Sequence, residues 1–295
     1  MSIRHRMRLI TVLTCLFFGS VAARAAATSY DAIYVFGDSY CDVGTDFAFT
    51  AGTTPATPPY YGGRFSNGPI WIEHVAGAMG LPMKPSLLTG VGTDYAFGGA
   101  FVTIPGNDTT IPPSVPQQVE LYLSLHGGKA DPKALYVIEG GGNDILDANP
   151  GTVTPSYLGY QIALGLSESE LLLRRAGAKY FLIPNLLDVG QLPGAAADPS
   201  FATAATVATN NALNLFLGLE DFIEGIYIRR VDAFSLFHNI ATDPTHFGFT
   251  NITTPCLSGV VVCADPDHTL FWDLEHPTEF GHSFFAVAAE ASLGN

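Results

Sequence analysis

Short apolar runs alternate with longer amphipathic stretches along most of this chain. Residues 32–36 (AIYVF), 94–97 (DYAF), 135–139 (LYVIE), 180–184 (YFLIP) and 226–231 (IYIRRV) each predict a strand. Between and after them, residues 70–79, 117–125, 158–176, 202–224 and 278–291 repeat apolar positions at helical spacing and predict helices. Continuous apolar strands alternating with helices predict a parallel sheet covered on both faces. The expected fold is therefore a three-layer α/β/α sandwich with a central, mainly five-stranded parallel sheet. Its site is expected at the carboxyl ends of the strands. No internal repeat, heptad or low-complexity linker interrupts the pattern.

The beginning of the chain follows a different plan. Arg4, Arg6 and Arg8 precede an apolar run over residues 9–21, and Ala23-Arg24-Ala25 has the small-x-small form of a cleavage signal. This predicts a secretory signal peptide over residues 1–25, cut after Ala25 or else after Ala27, and a single domain over residues 26–295. The apolar run is short for an uncleaved anchor, and no later stretch is long enough to span a bilayer. A secreted or periplasmic protein without stable membrane insertion is expected.

The chain has 295 residues, 47% of them hydrophobic, enough for one large domain with a sizeable core. Its 27 acidic and 13 basic residues give a net charge of −14. Residues 1–25 hold four arginines and no acid, so cleavage leaves −18. Such a chain repels nucleic acid and anionic membranes, and neither is expected as a partner. A monomer is expected.

Export also permits disulfides. Cys15 leaves with the signal, and Cys256 and Cys263 flank a short Gly-containing loop, CLSGVVVC. They are the predicted pair, with Cys41 free. Cys41 lies next but one to Ser39, and a small buried residue beneath that turn is preferred to a catalytic thiol. Asn107-Asp108-Thr109 and Asn251-Ile252-Thr253 are glycosylation sequons.

Four blocks carry candidate chemistry. Ser39 follows the first strand and Gly37, where a strand-to-helix turn exposes a side chain above the sheet. Gly98-Gly99 ends the second predicted strand and lets the backbone approach a ligand closely. Gly141-Gly142-Asn143-Asp144 follows the third and offers an amide. Asp273-Leu274-Glu275-His276-Pro277 places a carboxylate and an imidazole on one short loop before the final helix. A serine hydroxyl needs a base, and the base needs a group to fix its tautomer. A tetrahedral intermediate needs donors aimed at its oxyanion, which the Gly99 N–H and Asn143 amide would supply. Each block read alone is also an ordinary strand-end turn or helix cap.

Taken in order, the blocks resemble the GDSL-type SGNH hydrolases, the esterase and lipase group named for its Ser, Gly, Asn and His blocks. Gly63-Arg64-Phe65-Ser66-Asn67-Gly68-Pro69 and Ile183-Pro184-Asn185 resemble the lipolytic branch. The resemblance implies a flavodoxin-like fold and hydrolysis of carboxylic esters, with a small-molecule or lipid ester as substrate and no cofactor. It implies Ser39 as nucleophile, His276 as base and Asp273 as its orienting acid. The Ser39 N–H, the Gly99 N–H and the Asn143 amide would form the oxyanion hole, with the choice between Gly98 and Gly99 left open. Acyl transfer or carbohydrate deacetylation on the same site, and a non-catalytic binding protein, are the rival readings.

Tyr40-Cys41 stands where the family usually has Leu-Ser, and Asp94 where Asn is common. Residues 44–69 form a long Gly-, Pro- and Thr-rich loop. Its aromatics (Phe47, Phe49, Tyr60, Tyr61, Phe65) either line an acyl pocket or pin the loop down. Gly281-His282-Ser283 imitates part of a G-x-S-x-G elbow but falls within a helical pattern. Asp273, His276, Glu279 and His282 are split between loop and helix, and no metal is expected.

Overall fold

The computed structural model describes residues 29–86, 92–107, 112–220 and 222–294. The predicted signal peptide and two residues of the first sequon, Asp108 and Thr109, lie outside them. Strands β1 (Ile33–Phe36), β2 (Leu135–Ile138), β3 (Tyr180–Pro184) and β4 (Tyr227–Val231) form one parallel sheet in the order β1-β2-β3-β4. Ile33 pairs with Leu135, Leu135 with Tyr180, and Tyr180 with Tyr227. Every residue of β2 is buried, as a strand covered on both faces must be.

The predicted strand at 94–97 is the one element that stops short of a full strand. It runs beside β1 on the edge away from β2. The Val35 N–H donates to the Thr93 carbonyl at 3.0 Å and the Tyr95 N–H to the Val35 carbonyl at 2.8 Å. Only Val35 and Asp94 form a bridge in this pairing. The Asp94 carboxylate captures the Ala96 N–H at 3.0 Å, and the Gly98-Gly99 turn then ends the run. The sheet is thus four strands with a short parallel edge segment.

Helices α1 (Thr45–Phe49), α2 (Trp71–Ala78), α3 (Val115–Leu125), α4 (Gly142–Leu146), α5 (Pro155–Ala176), α6 (Pro199–Glu220), α7 (Ala233–Thr242) and α8 (Glu279–Leu293) complete the α/β fold. Helix α5 packs between α3 and α6 in one layer, while α8 packs on α2, α7 and the sheet in the other. Trp71 stacks on Phe285 at 4.4 Å, joining α2 to α8. Helix α5 opens at Pro155, with Thr154 accepting the Tyr157 N–H, and closes at Gly177 with φ of 117°. Helix α8 is capped by Thr278, which places Pro277 just outside it. A small hairpin, β5 (Leu257–Ser258) and β6 (Val261–Val262), lies apart from the main sheet. No helix among the described residues is long and apolar enough to cross a membrane.

Candidate active site

The chain leaves β1 at Phe36 and turns at Gly37. Gln118 of α3 clasps that turn: its Oε1 accepts the Gly37 N–H at 2.8 Å and its Nε2 donates to the Gly37 carbonyl at 2.9 Å. A Cβ on Gly37 would lie 3.0 Å from Glu139 Oε2 and 3.2 Å from Cys41 Cβ, so a larger residue there would press on both neighbours. The Cys41 and Asp42 N–H groups both donate to the Asp38 carbonyl at 3.0 Å, closing a tight turn over Ser39.

Ser39 Oγ donates to His276 Nε2 at 2.7 Å. His276 Nδ1 lies 2.8 Å from Asp273 Oδ2 and 2.9 Å from Oδ1. A carboxylate only accepts, which puts the neutral ring's proton on Nδ1 and leaves Nε2 free to take one. Asp273 Oδ1 also accepts the Glu275 and His276 N–H groups at 2.8 Å. Burial alone would raise the Asp273 pKa, but His276 and these N–H donors hold it down at about 2. Burial depresses the His276 pKa, and Asp273, Glu275 and Asp38 outweigh it, leaving the imidazole above its ordinary 6.5.

Asn143 stands in the first turn of α4 and donates to the Ala100 carbonyl at 2.9 Å, with a longer 3.4 Å contact to Asp38 Oδ2. The two adjacent glycines differ. The Gly98 N–H is already held by Asp42 Oδ2 at 2.9 Å, and a Cβ there would strike the Phe65 ring at 2.4 Å. Gly99 has φ of 74°, and a Cβ there would make only an ordinary 3.9 Å contact with Pro112. Among the described residues, no acceptor takes up the Ser39 or Gly99 N–H. Ser39, Asp273 and His276 are therefore in direct contact, and Asn143 and Gly98-Gly99 are tied into the same end of the sheet.

Several supporting residues escaped the sequence reading. Asp42 accepts N–H groups from Gly44, Thr45, Asp46 and Gly98, fixing the serine turn to the glycine turn. Asp144 accepts from Val102 at 2.8 Å and Thr103 at 2.9 Å, fixing the Asn143 turn to the segment after Ala100. Asp94 accepts from Val43 and Ala96, and burial with Asp42 nearby pushes its pKa well up. The available signal was an acid within three residues of Ser39 and one directly after Asn143.

The aromatics of the long loop divide. The Phe65 ring lies 5.2 Å from that of His276, and the Tyr60 hydroxyl donates to Asp273 Oδ2 at 2.8 Å. Phe49 is 59% exposed and packs edge-on to Phe97. Ser66 Oγ donates to the Pro277 carbonyl at 2.9 Å, and Asn67 Oδ1 accepts the Glu279 N–H at 2.7 Å. Tyr40 reaches the same region, donating to the Glu275 carbonyl at 2.7 Å.

Cys256 and Cys263 are bonded across the β5–β6 hairpin. Its first strand is held to the segment before Asp273 through the Cys256 N–H to Phe271 and the Leu257 N–H to Trp272 carbonyls. Cys41 is free and buried, and burial with Glu139 and Asp38 pushes its thiol pKa well up. It is not a poised nucleophile. His282 and Ser283 lie inside α8, where burial holds His282 neutral with a pKa of about 3.

Residues 33–289 match the family model of the GDSL-like lipase/acylhydrolases. A GDSL esterase/lipase of Arabidopsis thaliana is 27% identical, over 89% of this chain and 86% of its own length. The thermolabile hemolysin of Vibrio parahaemolyticus is 25% identical over 89% of this chain and 64% of that protein. The phosphatidylcholine-sterol acyltransferase of Aeromonas hydrophila is 28% identical over 82% and 70%. The chain thus belongs to the GDSL-like lipase/acylhydrolase family of carboxylic ester hydrolases.

Proposed function

We propose that this protein is an exported serine hydrolase that cleaves lipid or short acyl esters through an acyl-enzyme on Ser39. The unbroken hydrogen-bonded line from Ser39 Oγ through His276 to Asp273 carries this reading. Ser39 attacks the acyl carbon as His276 Nε2 takes its proton. Asp273 stabilises the imidazolium, which then protonates the leaving alcohol. Water, deprotonated by the same imidazole, releases the acid and restores the serine. The oxyanion is held by the Ser39 and Gly99 N–H groups and by the Asn143 amide. Gly99 is assigned over Gly98 because Asp42 already occupies the Gly98 N–H. The Asn143 hydrogen making only the long 3.4 Å contact is the one to turn toward the oxyanion.

The similarity to an acyltransferase supports a second reading, in which an alcohol replaces water in the last step. Export rests on the arginine-led apolar start of the sequence.

The test uses p-nitrophenyl esters of graded chain length and a fluorophosphonate label. Ser39→Ala is expected to abolish hydrolysis and labelling with a thermal melt close to wild type. Activity within tenfold of wild type, or a label mapped to another serine, would remove Ser39 from this role.

A further inference from the structure

Tyr60 belongs to the long loop, 213 residues before Asp273, yet its hydroxyl reaches the Asp273 carboxylate at 2.8 Å. The ring is held edge-on by Trp272 at 6.2 Å and Phe65 at 6.3 Å, so the hydroxyl's direction is set by packing. A phenol in that position donates a hydrogen bond to Oδ2, one of the two oxygens facing His276 Nδ1. Next to it, Phe65 covers the imidazole, Ser66 holds the Pro277 carbonyl, and Asn67 holds the Glu279 N–H. The loop therefore grips the acid–base segment on both sides of the histidine, and Tyr60 is its contact with the carboxylate.

We infer that Tyr60 is a positioning residue that sets the basicity of His276 by donating to Asp273. This inference rests on the assignment of Asp273 and His276 proposed above. A donor to the carboxylate spreads its negative charge away from the imidazole and lowers the stabilisation of imidazolium. Removing the donor makes Asp273 a stronger partner, and the His276 pKa rises. The other ionisable groups facing His276 and Asp273 stay unchanged. They are Glu275 on the same loop, Asp38 and Tyr40 on the serine turn, and His282 on α8. The phenol itself is kept protonated, because burial and the Asp273 charge push its pKa upward.

Tyr60→Phe tests this, since it keeps the ring and removes only the hydroxyl. The acid limb of kcat/KM is expected to move to higher pH by about half a unit. At a fixed pH of 6, where more imidazole is then protonated, kcat/KM should fall roughly two- to threefold. The change should vanish in an Asp273→Asn background, because the two residues act in series. The His276 Nδ1–H proton resonance, followed by NMR, should titrate at correspondingly higher pH in Tyr60→Phe. That signal reports the pair even in a protein that hydrolyses no ester, so it separates failure of this inference from failure of the assigned reaction. An unmoved limb and resonance with an intact melt would make Tyr60 a packing residue only. A raised KM with an unmoved limb would make it a substrate contact. The same loss persisting in the Asp273→Asn background would place its action elsewhere.

Discussion

Asp273 and His276 carry unequal shares of the assigned chemistry, and substitution should separate them. In the proposed mechanism His276 takes and returns a proton in each half of the reaction, whereas Asp273 orients the ring and stabilises its cation. His276→Ala is expected to lower kcat by roughly 10⁵- to 10⁶-fold and Asp273→Ala by about 10⁴-fold. The wild-type kcat/KM should rise with pH through the His276 pKa, which Asp273 and its neighbours lift above 6.5. Without Asp273, burial dominates and the acid limb should move to lower pH, the direction opposite to Tyr60→Phe. Rate profiles between pH 5 and 9 on melt-checked variants measure both effects, and equal losses would contradict this division. Ser39, Asn143, Asp273 and His276 were legible because each sits in a short block whose neighbours restrict the backbone. Gln118, Asp42 and Tyr60 were not, because their partners lie 81, 56 and 213 residues away. The sequence shows such a side chain, and only the fold shows what it holds.

Among the elements, α5 and α6 share a buried ionisable cluster. Arg174 bonds Glu170 at 3.1 Å within α5 and Glu220 of α6 at 3.2 Å. The two glutamate side chains also share a hydrogen bond, which the proton held on Glu170 supplies. Burial and Glu220 push the Glu170 pKa up to about 8 against the pull of Arg174. The folded chain then holds a proton that the unfolded chain releases near pH 4.5, so this group's contribution to stability falls as pH rises from about 4.5 to 8. Glu170→Gln removes that dependence. Its melting temperature relative to wild type should increase steadily from pH 5 to 8, and a decrease would contradict the sign.

The same scale shows where periodicity misleads. Helix α6 is expected to run to residue 224, whereas it spans Pro199–Glu220, and the apolar Phe222 beyond it is 89% exposed. Helix α7 was not expected. Its amphipathic run follows β4 directly, with Asp232 as cap accepting the Ser235 N–H. The segment at 94–97 has the composition of a strand, yet Asp94 spends its carboxylate on nearby N–H groups and the pairing stays short.

For the molecule as a whole, charge is the least compensated quantity. The full chain carries −14, and ion pairs with lysine or arginine among the described residues join Arg64 to Glu73, Lys133 to Asp31, and Arg174 to two glutamates. Most acids are therefore left to repel one another in the compact state. Raising ionic strength from about 10 mM to 150 mM shortens the screening length from roughly 30 Å to 8 Å. The melting temperature in sodium chloride should rise over that interval. A fall would mean that attraction between opposite charges outweighs the repulsion. The layer order and the parallel sheet followed from the alternation of short apolar and amphipathic runs. The convergence of residues 39, 99, 143 and 273–276 at one sheet end did not, since no local spacing encodes it.

The outer position of β4 has a consequence for coexistence with other copies of the chain. Among the described residues no strand pairs beyond it, so one row of its backbone groups is available as a template. The strand reads Tyr-Ile-Arg-Arg-Val, with Arg229 exposed and Arg230 bonded to Asn214. Zipping a second edge against it would bring two copies of Arg229 together and strip water from both. An acidic surface keeps molecules apart at a distance, and this arginine discourages aggregation at contact, when a newly made chain is crowded and its sheet is only partly covered.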